Sequence, residues 1–209
     1  FQLTDVDQIT FRFGYGNKDL FEPFAEESTD IPGFGDYLQD TGHNVLLHYQ
    51  HIFGSNAIQS LRFGLNRAHR KLRPENSERD VNQLWGVNWL PTDRLDFGYP
   101  GVTVAGFSRV GDVTQLPIDR PVSTYQVTED FSLIRGAHAL KMGGEFRKLL
   151  QDGELRLLTR GTLTFSGALS NVGLADLLLG FPSFGIQAKA DNAQALRTSS
   201  TNLYLQDDW

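Results

Sequence analysis

His48 and His51, three residues apart, come nearest to a metal motif in this sequence. On a strand such a pair points to opposite faces and cannot close on one ion, so no metal is expected. The chain contains no cysteine, which removes thiolate nucleophiles, disulfides and Cys-based zinc sites. Asp96-Phe97-Gly98 repeats the metal-binding triplet of protein kinases but has no phosphate loop, lysine-bearing strand or catalytic-loop segment around it, and reads as a loop coincidence. Gly14-Tyr15-Gly16 lacks the third glycine and the following helix that would aim amides at a phosphate. With no Gly-x-Ser-x-Gly and no carboxylate pair fixed by spacing, neither an enzyme nor a cofactor is expected.

Binding chemistry is better represented. Trp85, Trp89 and Tyr99, with Phe97 and Phe107, fall in one long connection, where rings beside Asp and Arg suit a sugar or peptide ligand, against a default of loop self-packing. Arg12, Arg62, Lys141, Glu145 and Arg147 occupy the polar positions of alternating segments and would either meet a ligand or plug or pair and solvate one another. A net charge of −6 argues against nucleic acid as a partner.

The elements that must position these residues are strands. The 21 glycines and 15 phenylalanines against one methionine favour an all-β chain over a helical bundle. Alternation marks strands at 8–16, 44–53, 57–67, 124–134, 138–150 and 201–209, with a shorter alternating piece at 162–165. Gly54-Ser55-Asn56 and Arg135-Gly136-Ala137 read as tight turns, whereas 17–42, 68–122 and 151–200 read as long connections. The apolar run at 173–181 is interrupted by Asp176 and is far shorter than the roughly 20 residues of a spanning helix.

Long and short connections alternate along the chain, as they do where short periplasmic turns and long extracellular loops join the strands of an outer-membrane barrel. Strands of this length also exceed the roughly 5 to 6 residues usual in soluble sheets. The expected fold is therefore an antiparallel up-and-down transmembrane β-barrel segment of about six long strands, open at its edges, since the smallest transmembrane barrels need about 8. Tyr15, Tyr49, Tyr125 and Trp209 suit the headgroup level. Glu129 conflicts with this register, because it shares the apolar face of Tyr125, Val127, Phe131 and Leu133 unless a bulge at Glu129-Asp130 turns it inward.

Three blocks of sequence resemble the barrel region of Oar-like TonB-dependent receptors. They are Arg135-Gly136-Ala137-His138-Ala139-Leu140-Lys141-Met142-Gly143-Gly144-Glu145-Phe146-Arg147, then Ala175-Asp176-Leu177-Leu178-Leu179-Gly180-Phe181-Pro182, then Tyr204-Leu205-Gln206-Asp207-Asp208-Trp209. Ser60-Leu61-Arg62-Phe63-Gly64-Leu65-Asn66-Arg67 is similar to that family's strand after a periplasmic turn, so the resemblance covers about 44–209. It implies a 22-stranded barrel in the outer membrane of a Gram-negative bacterium, filled by a plug and importing a bulky nutrient with energy relayed by TonB. No plug, TonB-contacting segment or N-terminal module is found in these residues. The expected partners are outer-membrane lipid, the plug and remaining strands, TonB through segments not seen here, and an unidentified nutrient.

The rival reading is a soluble all-β module that binds carbohydrate or protein through the aromatic loop. The two differ on one surface. A barrel makes Ile9, Phe11, Phe13, Leu47, Phe63, Leu65 and Leu140 an outward apolar belt, whereas a soluble module buries them in a core.

Overall fold

A computed structural model describes residues 1–24, 31–189 and 193–209. Six long strands, β1 (Asp7–Glu22), β2 (Asp36–Phe53), β3 (Ala57–Pro74), β5 (Ile118–Arg135), β6 (His138–Leu155) and β9 (Ala193–Asp208), pair in the order β1-β2-β3-β5-β6-β9. Every pairing is antiparallel between sequential long strands, which makes the sheet an up-and-down meander. Gly54 and Gly136 open the two tight turns at positive φ (63° and 64°), the backbone that short hairpins need.

Every strand runs past the limits that alternation marks. The segments 17–22, 36–42, 68–74, 118–122, 151–155 and 193–200 belong to strands instead of the expected connections. Above the apolar stretch the outward face turns largely polar while the opposite face gains Leu20, Leu38, Leu72 and Ile118, so the alternation loses its sense while the backbone ladder continues. The parts of the expected connections at 25–30 and 190–192 lie outside the described residues.

Directly paired residues share a face, so the register divides the sheet into two. One face carries successive rows that include Phe53, Ala57, Leu133 and Leu140, then Phe131 and Met142 beside Asp7, His51 and Gln59, then Ile9, Tyr49 and Leu61, then Phe11, Leu47, Phe63, Val127 and Phe146, then Phe13, Val45, Leu65 and Tyr125. The other carries Arg12, His48, Arg62, Asp130, Gln126, Glu145, Arg147 and Lys141. The ten steps from Phe53 up to His43 cover about 34 Å of strand, or roughly 26 Å of height at a tilt near 40°, which matches the ~25 Å apolar band of outer-membrane barrels. Above His43 the same face turns polar, with Thr41, His69, Lys71, Asp119 and Glu154.

The belt is exposed. Phe11 and Phe13 are each 59% accessible, Phe146 46% and Phe63 39%, which a soluble module with these rings in its core would not allow. The buried apolar residues described here, Val81, Leu90, Val104, Val113, Leu116 and Phe165, all lie in the two long connections. Those connections fold together. β4 (Gly101–Val104) from the first runs parallel to β7 (Thr162–Phe165) from the second, and β8 (Phe184–Ile186) completes a three-stranded sheet. The short helix α2 (Gly173–Leu179) packs against β4 and β7, and a second short helix, α1 (Val81–Trp85), lies in the first connection. No described helix is long and apolar enough to cross a membrane.

Glu129 keeps its place in the ladder, opposite Leu61 and Gly144, with no bulge at 129–130. It stays on the apolar face two rows above the tight-turn end, where its carboxylate accepts a 2.6 Å hydrogen bond from Gln59 Nε2. At four of the ten steps from Phe53 to His43, Glu129 lies near the middle of the apolar band, where a charge costs most, and the Gln59 hydrogen bond is the partner that offsets part of that cost.

The Gly143-Gly144 pair has a local cause. A Cβ on Gly143 would collide with the Glu129 carbonyl and with the Tyr204 ring that lies over it, and one on Gly144 would meet Leu203 at 2.7 Å. Tyr204 uses that space to reach Asp130 at 2.7 Å. Gly143→Val is therefore expected to displace Tyr204 and lower the temperature at which the barrel loses its heat-modifiable gel mobility. Gly42→Val, where a Cβ meets nothing within 4 Å, serves as the control; an equal loss in both would refute the account.

Candidate functional site: a polar wall under a folded cap

The polar face is built from paired positions of adjacent strands. Arg62 donates to Asp130 at 2.8 Å, and Tyr204 donates to the other oxygen of the same carboxylate. Glu145 accepts from Gln126 at 2.6 Å and pairs with Arg147 at 3.1 Å. His48 Nε2 lies 2.8 Å from the Ser60 hydroxyl. Higher up, Arg70 holds Asp40 through two parallel hydrogen bonds of 2.9 and 2.8 Å. Among the described residues no hydrogen bond or ion pair engages Arg12 or Lys141, which leaves two cations of this face open to a solute.

At its upper end this face becomes apolar, with Leu20, Leu38, Leu72 and Ile118 in one row. Leu72 and Ile118 pack on Val113 and Leu116 of the first long connection. The connections thus lean over the polar face and not the apolar one, and we call the unit they form the cap.

Inside the cap, Arg160 is 1% accessible and donates through Nη2 to the carbonyls of Val113 and Leu116 at 2.6 and 2.8 Å. Asp112 is fully buried and accepts from Asn76 Nδ2 at 2.9 Å and from the Tyr99 amide at 2.7 Å. Burial pushes the Asp112 carboxyl up, against the pull of Asn76 and the Tyr99 amide. Burial likewise pushes the Arg160 guanidinium down, against the pull of Asp112 and Asp96. Gly98 sits against both side chains, since a Cβ there would lie 2.5 Å from Asp112 and 3.2 Å from Arg160. Asp96 of the same triplet is buried and pairs with Arg156 at 2.8 Å, so Asp96-Phe97-Gly98 helps build the cap.

In the second connection Asp176 is fully buried at the start of α2 and accepts from the amides of Leu169 and Ser170 and from the Ser170 hydroxyl. These bonds, led by Ser170, hold its carboxyl below the usual range. The apolar run containing Asp176 therefore needs its one acid to close the turn before the helix.

The candidate residues separate into two groups. Arg12, Arg62, Lys141, Glu145 and Arg147 all share the polar face. Trp85 and Tyr99 meet in the cap at 5.7 Å, with Phe34 edge-on to Tyr99 at 5.8 Å, while Trp89 stands apart and offers its carbonyl to Gln187. His48 and His51 take opposite faces; His51 lies 2.6 Å from Asp7. His138 reaches across to Asp207 at 2.8 Å. Asp130, Asp112 and Arg160 join these groups without being marked as site residues by sequence. Alternation could have assigned Asp130 to the polar face, whereas Asp112 and Arg160 are 48 positions apart in two loops and carry no local signal.

An outward apolar belt of membrane height, a polar opposite face and short turns at one end define a membrane-spanning sheet of the outer-membrane type. The family model for the outer membrane beta barrel domain matches residues 1–209, and the chain belongs to that family. It is accordingly a protein of the Gram-negative outer membrane. No curated protein and no solved structure matches it.

Two outcomes follow for the cap. Arg160→Met should speed protease cleavage within 75–117 while heat-modifiable mobility of the barrel is retained; unchanged cleavage would mean the cap does not depend on this side chain. Asp176, with a folded pKa below its unfolded value, contributes stability that is complete above the ordinary carboxylate range, near pH 4, and is lost as pH falls through the depressed value. Cleavage at 167–180 should accelerate on acidification in the native chain and respond less in Asp176→Asn, as read by mass spectrometry of the fragments.

Proposed function

We propose that this chain is the strand-and-cap part of a TonB-dependent receptor-like transporter that takes up a bulky nutrient. The observation that carries the reading is the cap, which is folded around its own core and set over a face bearing unpaired Arg12 and Lys141. A passive pore has little use for such a structure, whereas a receptor that selects a large solute before admitting it needs a shaped outer surface and a polar wall behind it. The resemblance of 135–147, 175–182 and 204–209 to Oar-like receptors supports the same reading. So do the two open edges of the sheet, since unpaired backbone groups in hydrocarbon cost several kcal/mol each. In this reading further strands, a plug and the contact with TonB complete the receptor. Trp85 and Tyr99, with Trp89 set apart from them, are the aromatic residues on which the nutrient would first rest.

The test uses the full-length protein. It should bind the periplasmic domain of TonB in a pull-down and pass no steady current in a planar bilayer. A lasting open-pore conductance together with no TonB binding would overturn the proposal.

A further inference from the structure

The outward face of β3 changes character within one step. Leu61, Phe63 and Leu65 lie in the apolar belt, and the next four positions on the same face are Arg67, His69, Lys71 and Arg73. These four span about 20 Å of strand, beginning where the belt ends. The acids nearby are engaged. Asp119 is held by His69 at 2.5 Å with Lys71 at 3.9 Å, Asp152 by Arg197, and Glu154 by Arg156. Among the described residues, Arg67 and Lys148 have no hydrogen-bond or ion-pair partner. Both are exposed on the apolar face at the top of the belt, on either side of β5, with Ser123 and Tyr125 between them.

Just above, on the same face, a groove of about 580 Å³ is lined by Phe21, Tyr37, Gln39, Lys71, Arg73 and Asp19. The Phe21 and Tyr37 rings are 4.8 Å apart, and the Arg73 guanidinium lies 5.3 Å from the Tyr37 ring centre. A surface that is apolar, then cationic, then aromatic with polar donors is complementary to a molecule that is acyl, then phosphate, then sugar.

We infer that this strip binds a phosphate-bearing glycolipid of the outer leaflet, with its acyl chains on Leu61, Phe63, Leu65 and Val127, its phosphate between Arg67 and Lys148, and its saccharide toward the Phe21–Tyr37 groove. The inference rests on the outer-membrane location and is independent of the transport reading. Cations at the headgroup boundary of an apolar face are worth on the order of 1 kcal/mol each against an anionic lipid surface, about fivefold in affinity per charge.

The experiment compares the full-length protein with Arg67→Gln/Lys148→Gln and with a charge-matched control on the opposite face, Arg12→Gln/Lys141→Gln. All three are first checked for heat-modifiable mobility. Each is reconstituted in phosphatidylcholine nanodiscs containing diphosphoryl lipid A, and the lipid A retained per barrel after delipidation is counted by mass spectrometry. Dephosphorylated lipid A and an excess of inorganic phosphate form two further arms. The expected result is that retention falls tenfold or more in the Arg67/Lys148 variant only, that the dephosphorylated lipid is not retained, and that inorganic phosphate does not compete. Equal loss in both variants, no loss in either, or full displacement by inorganic phosphate would overturn it, the last by assigning the cations to a free anion. If the Arg67/Lys148 variant does not fold, Arg67→Lys replaces it, and loss of lipid with charge preserved would count against the proposal.

Discussion

A backbone amide or carbonyl inside hydrocarbon has no water to turn to, and the long ladder of this sheet is the answer to that constraint. Five antiparallel pairings run without a bulge through the apolar band, so each interior strand meets its hydrogen-bonding needs on both sides. Once the ladder is continuous, a period of two in the side chains assigns each residue to a face. The outward position of Phe63 and the inward position of Arg62 are then one decision. The same continuity keeps Glu129 outward, because turning it would need a bulge that breaks the ladder, and a hydrogen bond from Gln59 is the milder solution.

The molecule separates two kinds of stability. Below the cap the sheet leaves the rings of its belt outside the protein and relies on lipid for that contact. The cap does what a small soluble domain does, burying Val104, Val113, Leu116 and Phe165 together with Arg160 and Asp112. The join falls at Leu72 and Ile118, where the inner face switches from polar to apolar because protein covers it in place of solvent.

Much of this could be read from the sequence, and the gaps have physical causes. Alternation in 57–67 and 124–134 revealed strand, face and turn, because a two-sided environment imprints a period of two. It could not mark 68–74 or 118–123, where water on one side and the cap on the other remove the contrast and leave only the backbone pairing. The Arg12, Arg62, Lys141, Glu145 and Arg147 set was assigned to a common face by the same period. The cap escaped because its organising pairs, Arg160 with the Val113 carbonyl and Gly101 with Thr162, join two connections that are distant in sequence; of its short strands only 162–165 shows alternation, and 101–104 and 184–186 are too brief to show it.

The parallel pairing of β4 with β7 ties the first long connection to the second. Neither can be exchanged alone. A graft of one connection from a relative would leave the other with a bare strand edge and half a core, so the two must be inherited, recombined and diversified as one cassette, although almost 60 residues and a complete membrane hairpin separate β4 from β7 in the chain.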